Sequence, residues 1–130
     1  MSEAYIDSSW MIAARLQQQD KGQLSRLEKY HLIYSSELLL AEVLAFSARE
    51  GIDTSKVVEA SQSISWVMPD RSLMPEMEWV ISNGYIRGAD LWHLACACYV
   101  SPDPKDLAFL TLDRRQQEVA KILGFKTPVY

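Results

Sequence analysis

The sequence has few of the features that mark a specialised class of protein. Only two of its 130 residues are cysteine, five are glycine and five are proline, which excludes a disulfide-rich scaffold, a collagen-like chain and a low-complexity chain. Its longest apolar run, residues 94–100, is far shorter than the roughly 18 residues that a transmembrane helix needs. No basic segment precedes an apolar stretch near the N-terminus. We therefore expect a cytoplasmic protein without a signal peptide and without a membrane partner.

Positive charge is also scarce. The chain has 13 Lys and Arg against 17 Asp and Glu, a formal net charge of −4, whereas a purely electrostatic nucleic-acid binder is usually basic. Charge alone therefore does not favour a nucleic-acid partner.

The two cysteines, Cys96 and Cys98, would point about 200° apart around a helix and lack the spacing of zinc ligands. We expect them to be small buried thiols in a reducing compartment rather than a disulfide or a metal site.

Apolar segments of strand character alternate with segments of helical periodicity along the chain. Strands are predicted at residues 4–6, 32–35, 64–68, 107–112 and 126–129, and helices at residues 10–19, 23–30, 37–50, 55–60, 73–83, 89–100 and 114–123. The predicted N-caps are Ser8 or Ser9, Ser36 and Thr54, and the predicted helix-ending glycines are Gly51, Gly84 and Gly124. This alternation predicts one domain over residues 1–130, an α/β three-layer sandwich with a mostly parallel sheet.

Three aspartates occupy positions where such a fold builds binding sites. Asp7 and Asp113 directly follow predicted strands, and open α/β sheets bind their ligands beyond the carboxyl ends of the strands. Asp90 opens a predicted helix. Each position also suits a helix cap or a first-turn acid, and Asp113 followed by Gln116 resembles a capping box.

Glu42 is the most unusual acid in the sequence. It interrupts a predicted helix that is apolar nearly all round, and no basic residue lies within one turn of it. A buried, unpaired carboxylate costs several kcal/mol or becomes protonated. We therefore expect a metal or a distant arginine to compensate Glu42, unless it lies at the edge of the apolar face and reaches water.

If these four acids converge, their mutual repulsion calls for a hard cation. All-oxygen sites suit Mg²⁺ or Mn²⁺. Such ions activate water and stabilise a leaving oxygen in phosphodiester hydrolysis. They also reverse the local sign of charge, so that an acidic protein can accept a phosphate.

Four segments, taken together, resemble the PIN-domain nucleases, and in particular the VapC-like toxins of prokaryotic toxin–antitoxin pairs. They are YIDSSWMIA at residues 5–13, SSELLLAEVLA at 35–45, IRGADLWHLACA at 86–97 and FLTLDRRQQEVAKILGF at 109–125. The resemblance implies a parallel sheet of about five strands flanked by helices. It also implies a metal-dependent ribonuclease site, a homodimer and an antitoxin protein as partner.

The resemblance further implies roles for individual residues. Asp7, Glu42, Asp90 and Asp113 match the catalytic acids of the family. Asp7 and Asp90 match the usual ligands of Mg²⁺ (or Mn²⁺), with Asp113 as a further ligand and Glu42 completing the cluster directly or through water. Ser9 matches a small polar position that supports the site.

The basic residues nearest to these acids are Arg87, Arg114 and Arg115, which we expect either to contact RNA phosphates or to lie on the solvated surface. His93 lies three residues after Asp90, on the same helix face. We expect it either to line the cleft or to be a half-buried, hydrogen-bonded histidine.

Other functions remain open. One alternative is a catalytically silent PIN-like module that binds RNA or protein, and another is a housekeeping PIN nuclease outside a toxin pair. A receiver domain and a haloacid-dehalogenase-like phosphatase are disfavoured, because each needs an additional acid near Asp7 where this chain has Ser8 and Ser9.

Overall fold

Four parallel strands form one sheet in the computed structural model, in the order β3-β2-β1-β4. The structure describes residues 2–16 and 26–128. The strands are β1 (Glu3–Ile6), β2 (Leu32–Ser36), β3 (Ile64–Val67) and β4 (Leu107–Leu110). The helices are α1 (Ser8–Met11, continued by a π-helical turn over Ile12–Leu16), α2 (Glu37–Glu50), α3 (Thr54–Ser61), α4 (Met74–Asn83), α5 (Gly88–Val100) and α6 (Arg114–Leu123). The α/β class and the parallel sheet agree with the prediction.

Strand β1 lies inside the sheet, between β2 and β4. Tyr5 of β1 stands opposite Tyr34 of β2 on one side and opposite Phe109 of β4 on the other. Because all the strands are parallel, their C-terminal ends reach the same edge of the sheet. Asp7 directly follows β1, so it lies in the middle of that edge, with a strand on either side of β1.

The strand predicted at residues 126–129 is not formed as an element within the described residues. Lys126 alone bridges to β4, through hydrogen bonds from Phe109 N to Lys126 O and from Lys126 N to Leu107 O. Pro128 follows two residues later and has no N–H with which to extend the ladder, and residues 129–130 lie outside the described residues. The sheet therefore has four strands rather than about five.

Each face of the sheet has its own hydrophobic core. Ala4 and Ile6 of β1 belong to one core and Tyr5 to the other, as the alternation of a strand requires. The first core includes buried residues of α1, α2 and α3, and the second includes those of α4, α5 and α6. Helices thus lie against both faces, which is consistent with a three-layer sandwich.

Two helix N-caps differ from the prediction. The cap of α1 is Asp7 rather than Ser8 or Ser9, and the cap of α3 is Asp53 rather than Thr54. In both cases an aspartate stands one residue earlier in extended backbone, and its carboxylate accepts a hydrogen bond from an N–H of the first turn. A carboxylate also interacts favourably with the positive end of the helix dipole.

Other element boundaries lie close to the predicted ones. Gly51 (φ 70°) and Gly124 (φ 103°) end α2 and α6 in the left-handed conformation that glycine adopts readily. Gly84 follows α4, and Ser36 precedes α2 without making a side-chain capping bond. The helix predicted at 10–19 begins at Ser8, and its residues 17–19 lie outside the described part. Of the helix predicted at 23–30, residues 23–25 lie outside it, and the chain turns after residue 27.

The cysteines form no disulfide. Cys96 is buried and Cys98 half-buried, and both are free thiols. Burial raises the pKa of Cys96 to about 12 and that of Cys98 to about 11, so both remain protonated and unreactive at neutral pH. Among the described residues, no helix has both the length and the apolar character needed to cross a membrane.

Candidate active site

The carboxylate of Asp7 is buried and accepts three hydrogen bonds. Its Oδ1 accepts from Ser9 Oγ at 2.6 Å and from Trp10 N at 3.2 Å, and its Oδ2 accepts from Thr111 Oγ1 at 2.5 Å. Its backbone N–H donates to Leu110 O at the end of β4. These bonds fix the aspartate in one orientation. Ser9, which the resemblance matches to a supporting position, contacts Asp7 directly.

Thr111 and Gln116 connect the segments that carry the acids. Thr111 Oγ1 contacts Gln116 Oε1 at 2.9 Å and accepts a hydrogen bond from Asp113 N at 3.0 Å. Gln116 is fully buried and donates from Nε2 to the backbone oxygen of Asp90 at 3.3 Å. The ends of β1 and β4 and the first turn of α5 are thereby joined through side chains.

Two features of the sequence, separate from the capping-box pattern, indicate that Thr111 and Gln116 make hydrogen bonds inside the protein. Thr111 is a hydroxyl residue at the end of a buried apolar strand. Gln116 lies three and four positions before Val119 and Ala120, on the buried face of an otherwise polar helix. A polar residue on such a face usually has a specific hydrogen-bonding partner inside the protein.

Asp113 follows the β4 strand and is the N-cap of α6, as its sequence context predicts. Its Oδ1 accepts from Gln116 N at 2.8 Å. The reciprocal half of a capping box is missing, because the Gln116 side chain turns inward and Asp113 N donates to Thr111 instead. The half-buried Asp113 therefore has a capping role and also lies next to the other aspartates.

Asp90 lies in the first turn of α5 and is half-buried. Burial raises its pKa, and the negative charges of Asp113 and Asp7 raise it further, while Arg87 and His93 oppose this rise. Burial also raises the pKa of Asp7, against the hydrogen bonds that it accepts. Asp7 and Asp113 therefore lie close enough to Asp90 to disfavour its ionisation.

Glu42 has a partner that the sequence did not suggest. Its Oε1 lies 2.8 Å from Nε2 of His93, which belongs to α5, and its side chain is 31% exposed. Neither a metal nor an arginine is needed to explain Glu42 in this position. His93 is 1% exposed rather than half-buried, and its Nδ1 lies 2.8 Å from the hydroxyl of Tyr5.

Mg²⁺ or Mn²⁺ is the ion whose chemistry the aspartates would suit. Asp7 Oδ2 accepts only one hydrogen bond, and the Asp90 carboxylate accepts none from the described residues, so both have lone pairs available for a cation. The negative charges of Asp7 and Asp113, which raise the pKa of Asp90, are an expected environment of a hard cation. However, no three His, Cys, Asp or Glu side chains of the described residues are arranged closely enough to hold an ion.

The three candidate RNA-binding arginines differ in their surroundings. Arg87 is exposed just before α5, and Arg114 is exposed as the first residue of α6. Arg115 donates to Tyr85 O at 3.0 Å and to Glu118 Oε2 at 3.1 Å. Arg87 and Arg114 are thus the better candidates for phosphate contact, because Arg115 is engaged in structural contacts.

No protein-family model matches this chain, and no curated protein matches it significantly. The likeness to PIN-domain nucleases therefore depends on the segments at residues 5–13, 35–45, 86–97 and 109–125. Any proposed function depends on where the structure places the acids.

Proposed function

We propose that this protein is a metal-dependent endoribonuclease with a PIN-like fold, and that it is the toxin of a toxin–antitoxin pair. The observation that carries the proposal is that Thr111 and Gln116 link Asp7, Asp90 and Asp113 by hydrogen bonds, although these acids come from three separate parts of the chain. The charges of Asp7 and Asp113 raise the pKa of Asp90, and both residues follow the carboxyl ends of parallel strands. Capping explains Asp7 and Asp113 individually, but it does not explain why three acids share one place.

Asp7, Asp90 and Asp113 would hold Mg²⁺ or Mn²⁺ through their carboxylate oxygens. The ion would supply a polarised water molecule and would offset the charge of the phosphate to be cleaved. Ser9 and Thr111 keep the Asp7 carboxylate in place through the hydrogen bonds that they donate. A group fixed in this way does not need to reorganise during the reaction.

Glu42 is the acid best placed to move a proton. It is partly exposed and contacts His93, and the charge of His93 in turn lowers the pKa of Asp7 and Asp90. In the proposed reaction Glu42 accepts a proton from the attacking water. The exposed Arg87 and Arg114 contact phosphates on either side of the cleaved bond.

The overall charge favours selective cleavage. A net charge of −4 gives little general attraction to RNA, so we propose that the enzyme cuts at a few sites in structured RNA.

Several large apolar side chains near α4 are exposed, among them Met74, Trp79 and Tyr85. Such residues are common at protein interfaces, which supports the proposed homodimer and antitoxin partner.

The proposal is tested by incubating the purified protein with a panel of structured RNAs in Mg²⁺, in Mn²⁺ or in excess chelator. We expect a small number of discrete products that form only with a divalent cation. Asp90→Asn and Asp113→Asn should each lower the cleavage rate by at least about 100-fold. Substitution of a residue that only contacts a metal ligand costs up to about 100-fold, and a ligand itself should matter at least as much. The exposed Asp106→Asn is the matched control and should cleave normally.

One observation favours a second candidate, a catalytically silent PIN-like module that binds RNA or protein. The described acids do not form a ready-made cluster of three ligands. This module would bind structured RNA equally well with and without divalent cations and would leave it intact. Progressive breakdown of many unrelated RNAs would instead indicate a general housekeeping nuclease.

A further inference from the structure

Three side chains from three different elements form one hydrogen-bonded chain. The hydroxyl of Tyr5 in β1 lies 2.8 Å from Nδ1 of His93 in α5, and Nε2 of His93 lies 2.8 Å from Oε1 of Glu42 in α2. Tyr5 and His93 are buried, whereas Glu42 reaches the surface. The chain, here named the Tyr5–His93–Glu42 relay, thus connects the protein interior to one carboxylate at the proposed site.

The donors and acceptors of the relay allow one arrangement for a neutral imidazole. An ionised Glu42 can only accept, so Nε2 of His93 carries the hydrogen. Nδ1 is then the unprotonated nitrogen and accepts, so the hydroxyl of Tyr5 must donate to it. Glu42 therefore determines the tautomer of His93, and the hydroxyl of Tyr5 satisfies the other ring nitrogen.

The surroundings of the relay are rigid. The Tyr5 ring stacks on Phe109 with centroids 5.4 Å apart and planes 6° apart, and it meets the His93 ring edge-on at 5.7 Å. Both rings are part of the close-packed interior, where side chains have little freedom to change rotamer. Neither ring can reach an RNA substrate, and the relay reaches the surface through the hydrogen bond between His93 and Glu42.

We propose that His93 is a positioning residue for Glu42, and that Tyr5 donates to the ring nitrogen that this role leaves unprotonated. This inference rests on the proposed function, in which Glu42 accepts a proton from the attacking water. A carboxylate on a helix surface can rotate among several rotamers. The hydrogen bond from His93 holds one oxygen inward and leaves the other free, so the relay selects the orientation that suits proton transfer.

The tautomer can be measured without any activity. The chain has two histidines, and the exposed His31 is an internal reference. Long-range ¹H–¹⁵N correlation spectra of the labelled protein at pH 7 should show His93 as a single tautomer with hydrogen on Nε2. Tyr5→Phe should shift the Nδ1 resonance of His93, while the control Tyr99→Phe should not, because Tyr99 donates to Asp70 at the surface. Hydrogen on Nδ1, on both nitrogens, or mixed tautomers would overturn the relay.

The positioning role is measured with two substitutions of His93. His93→Gln places an amide nitrogen near the position of Nε2 and can still donate to Glu42, whereas His93→Leu cannot. We expect His93→Leu to lower kcat by about 10- to 100-fold with little change in KM, and His93→Gln to recover most of this loss. Equal losses in both variants, or no loss in His93→Leu, would overturn the role.

Cation binding separates this inference from the proposed function. Both His93 variants should bind Mn²⁺ as the wild type does, because His93 contacts Glu42 and not the aspartate carboxylates. A wild type that cleaves no RNA would refute the proposed function, and the positioning role with it, while the tautomer result would still decide whether the relay exists. Loss of Mn²⁺ binding in both variants would show a structural role of His93 and would overturn the inference.

Discussion

At the scale of single residues, Asp7 accepts three hydrogen bonds and is still disfavoured as an anion. Burial raises its pKa more than the bonds from Ser9, Thr111 and Trp10 lower it. The hydroxyl of Thr111 has one hydrogen, but both Asp7 Oδ2 and Gln116 Oε1 lie within its reach. An ionised Asp7 therefore leaves one acceptor unsatisfied in the metal-free protein.

This conflict predicts that Asp7→Asn stabilises the metal-free protein at neutral pH. Asparagine is an equally good N-cap, carries no charge and can donate to Thr111. Each kcal/mol gained should raise Tm by roughly 3–5 °C for a chain of this length. Thermal unfolding in chelator, measured for the wild type, Asp7→Asn and the exposed control Asp106→Asn, checks the prediction.

The same measurement has a defined pH dependence. Because the pKa of Asp7 is raised in the folded state, the native protein takes up a proton at a higher pH than the unfolded chain does. The penalty is fully present above the folded-state pKa and is relieved as the pH falls through it. The advantage of Asp7→Asn should therefore shrink on acidification. An Asp7→Asn variant less stable than wild type at pH 7 would contradict this explanation.

Glu42 shows where residue-level reasoning from the sequence reaches its limit. The expected partner of Glu42 was a metal or a distant arginine, whereas its partner is His93, and its side chain also reaches the surface. His93 could not be identified, because it lies 51 positions away and only the packing of α2 and α5 brings the two together. Asp7, by contrast, directly follows β1 as predicted, and Asp113 follows β4 after two further residues, so both lie at the C-terminal edge of the sheet.

At the scale of elements, Gln116 attaches α6 to the first turn of α5. Its side chain spans from Thr111 to the backbone oxygen of Asp90 and is completely buried. This amide group thus links the first turn of α5 directly to the segment that carries Asp113. A leucine would fill the same space without providing either hydrogen bond.

We expect Gln116→Leu to lower the free energy of unfolding by about 1–3 kcal/mol, since it removes two hydrogen bonds from a buried position. It should also weaken Mn²⁺ binding, because it removes a hydrogen bond to the backbone of Asp90. Gln117→Leu is the matched control, since Gln117 is the next residue of α6 and donates at 2.7 Å to the backbone oxygen of Thr111, but it does not contact Asp90. Denaturant unfolding and Mn²⁺ titration of both variants would refute this role if their losses were equal.

Helix boundaries were predictable within a few residues, but the capping residues were less so. The choice between Asp53 and Thr54, or between Asp7 and Ser8, depends on which residue has extended backbone, and neighbouring polar residues compete for that position. The strand predicted at 107–112 ends at Leu110, which pairs with Ile6, the last residue of β1. The predicted and observed ends of this strand therefore differ at the point where the chain leaves the sheet and enters the proposed site.

At the scale of the whole molecule, the parallel sheet is the feature that brings the acids together. The alternation of apolar strands and helices predicted a parallel α/β arrangement, and the structure confirms it. The order β3-β2-β1-β4 was not predictable from local patterns, because pairing depends on contacts between distant segments. That order sets β4 beside β1, which places Thr111 and Asp113 next to Asp7.

The most direct test of the central claim is a calorimetric titration of Mn²⁺ into the metal-free protein, repeated with Asp7→Asn, Asp90→Asn and the control Asp106→Asn. If the three aspartates form one hard-cation site, wild type and Asp106→Asn will show saturable binding. Asp7→Asn and Asp90→Asn will bind Mn²⁺ at least about tenfold more weakly than the wild type. About tenfold is the lower end of the loss in affinity when a residue that supports a metal site is replaced. Absence of binding to the wild type, or equal binding by all four proteins, would contradict the account and leave Asp7 as a helix cap and Asp90 as a first-turn acid.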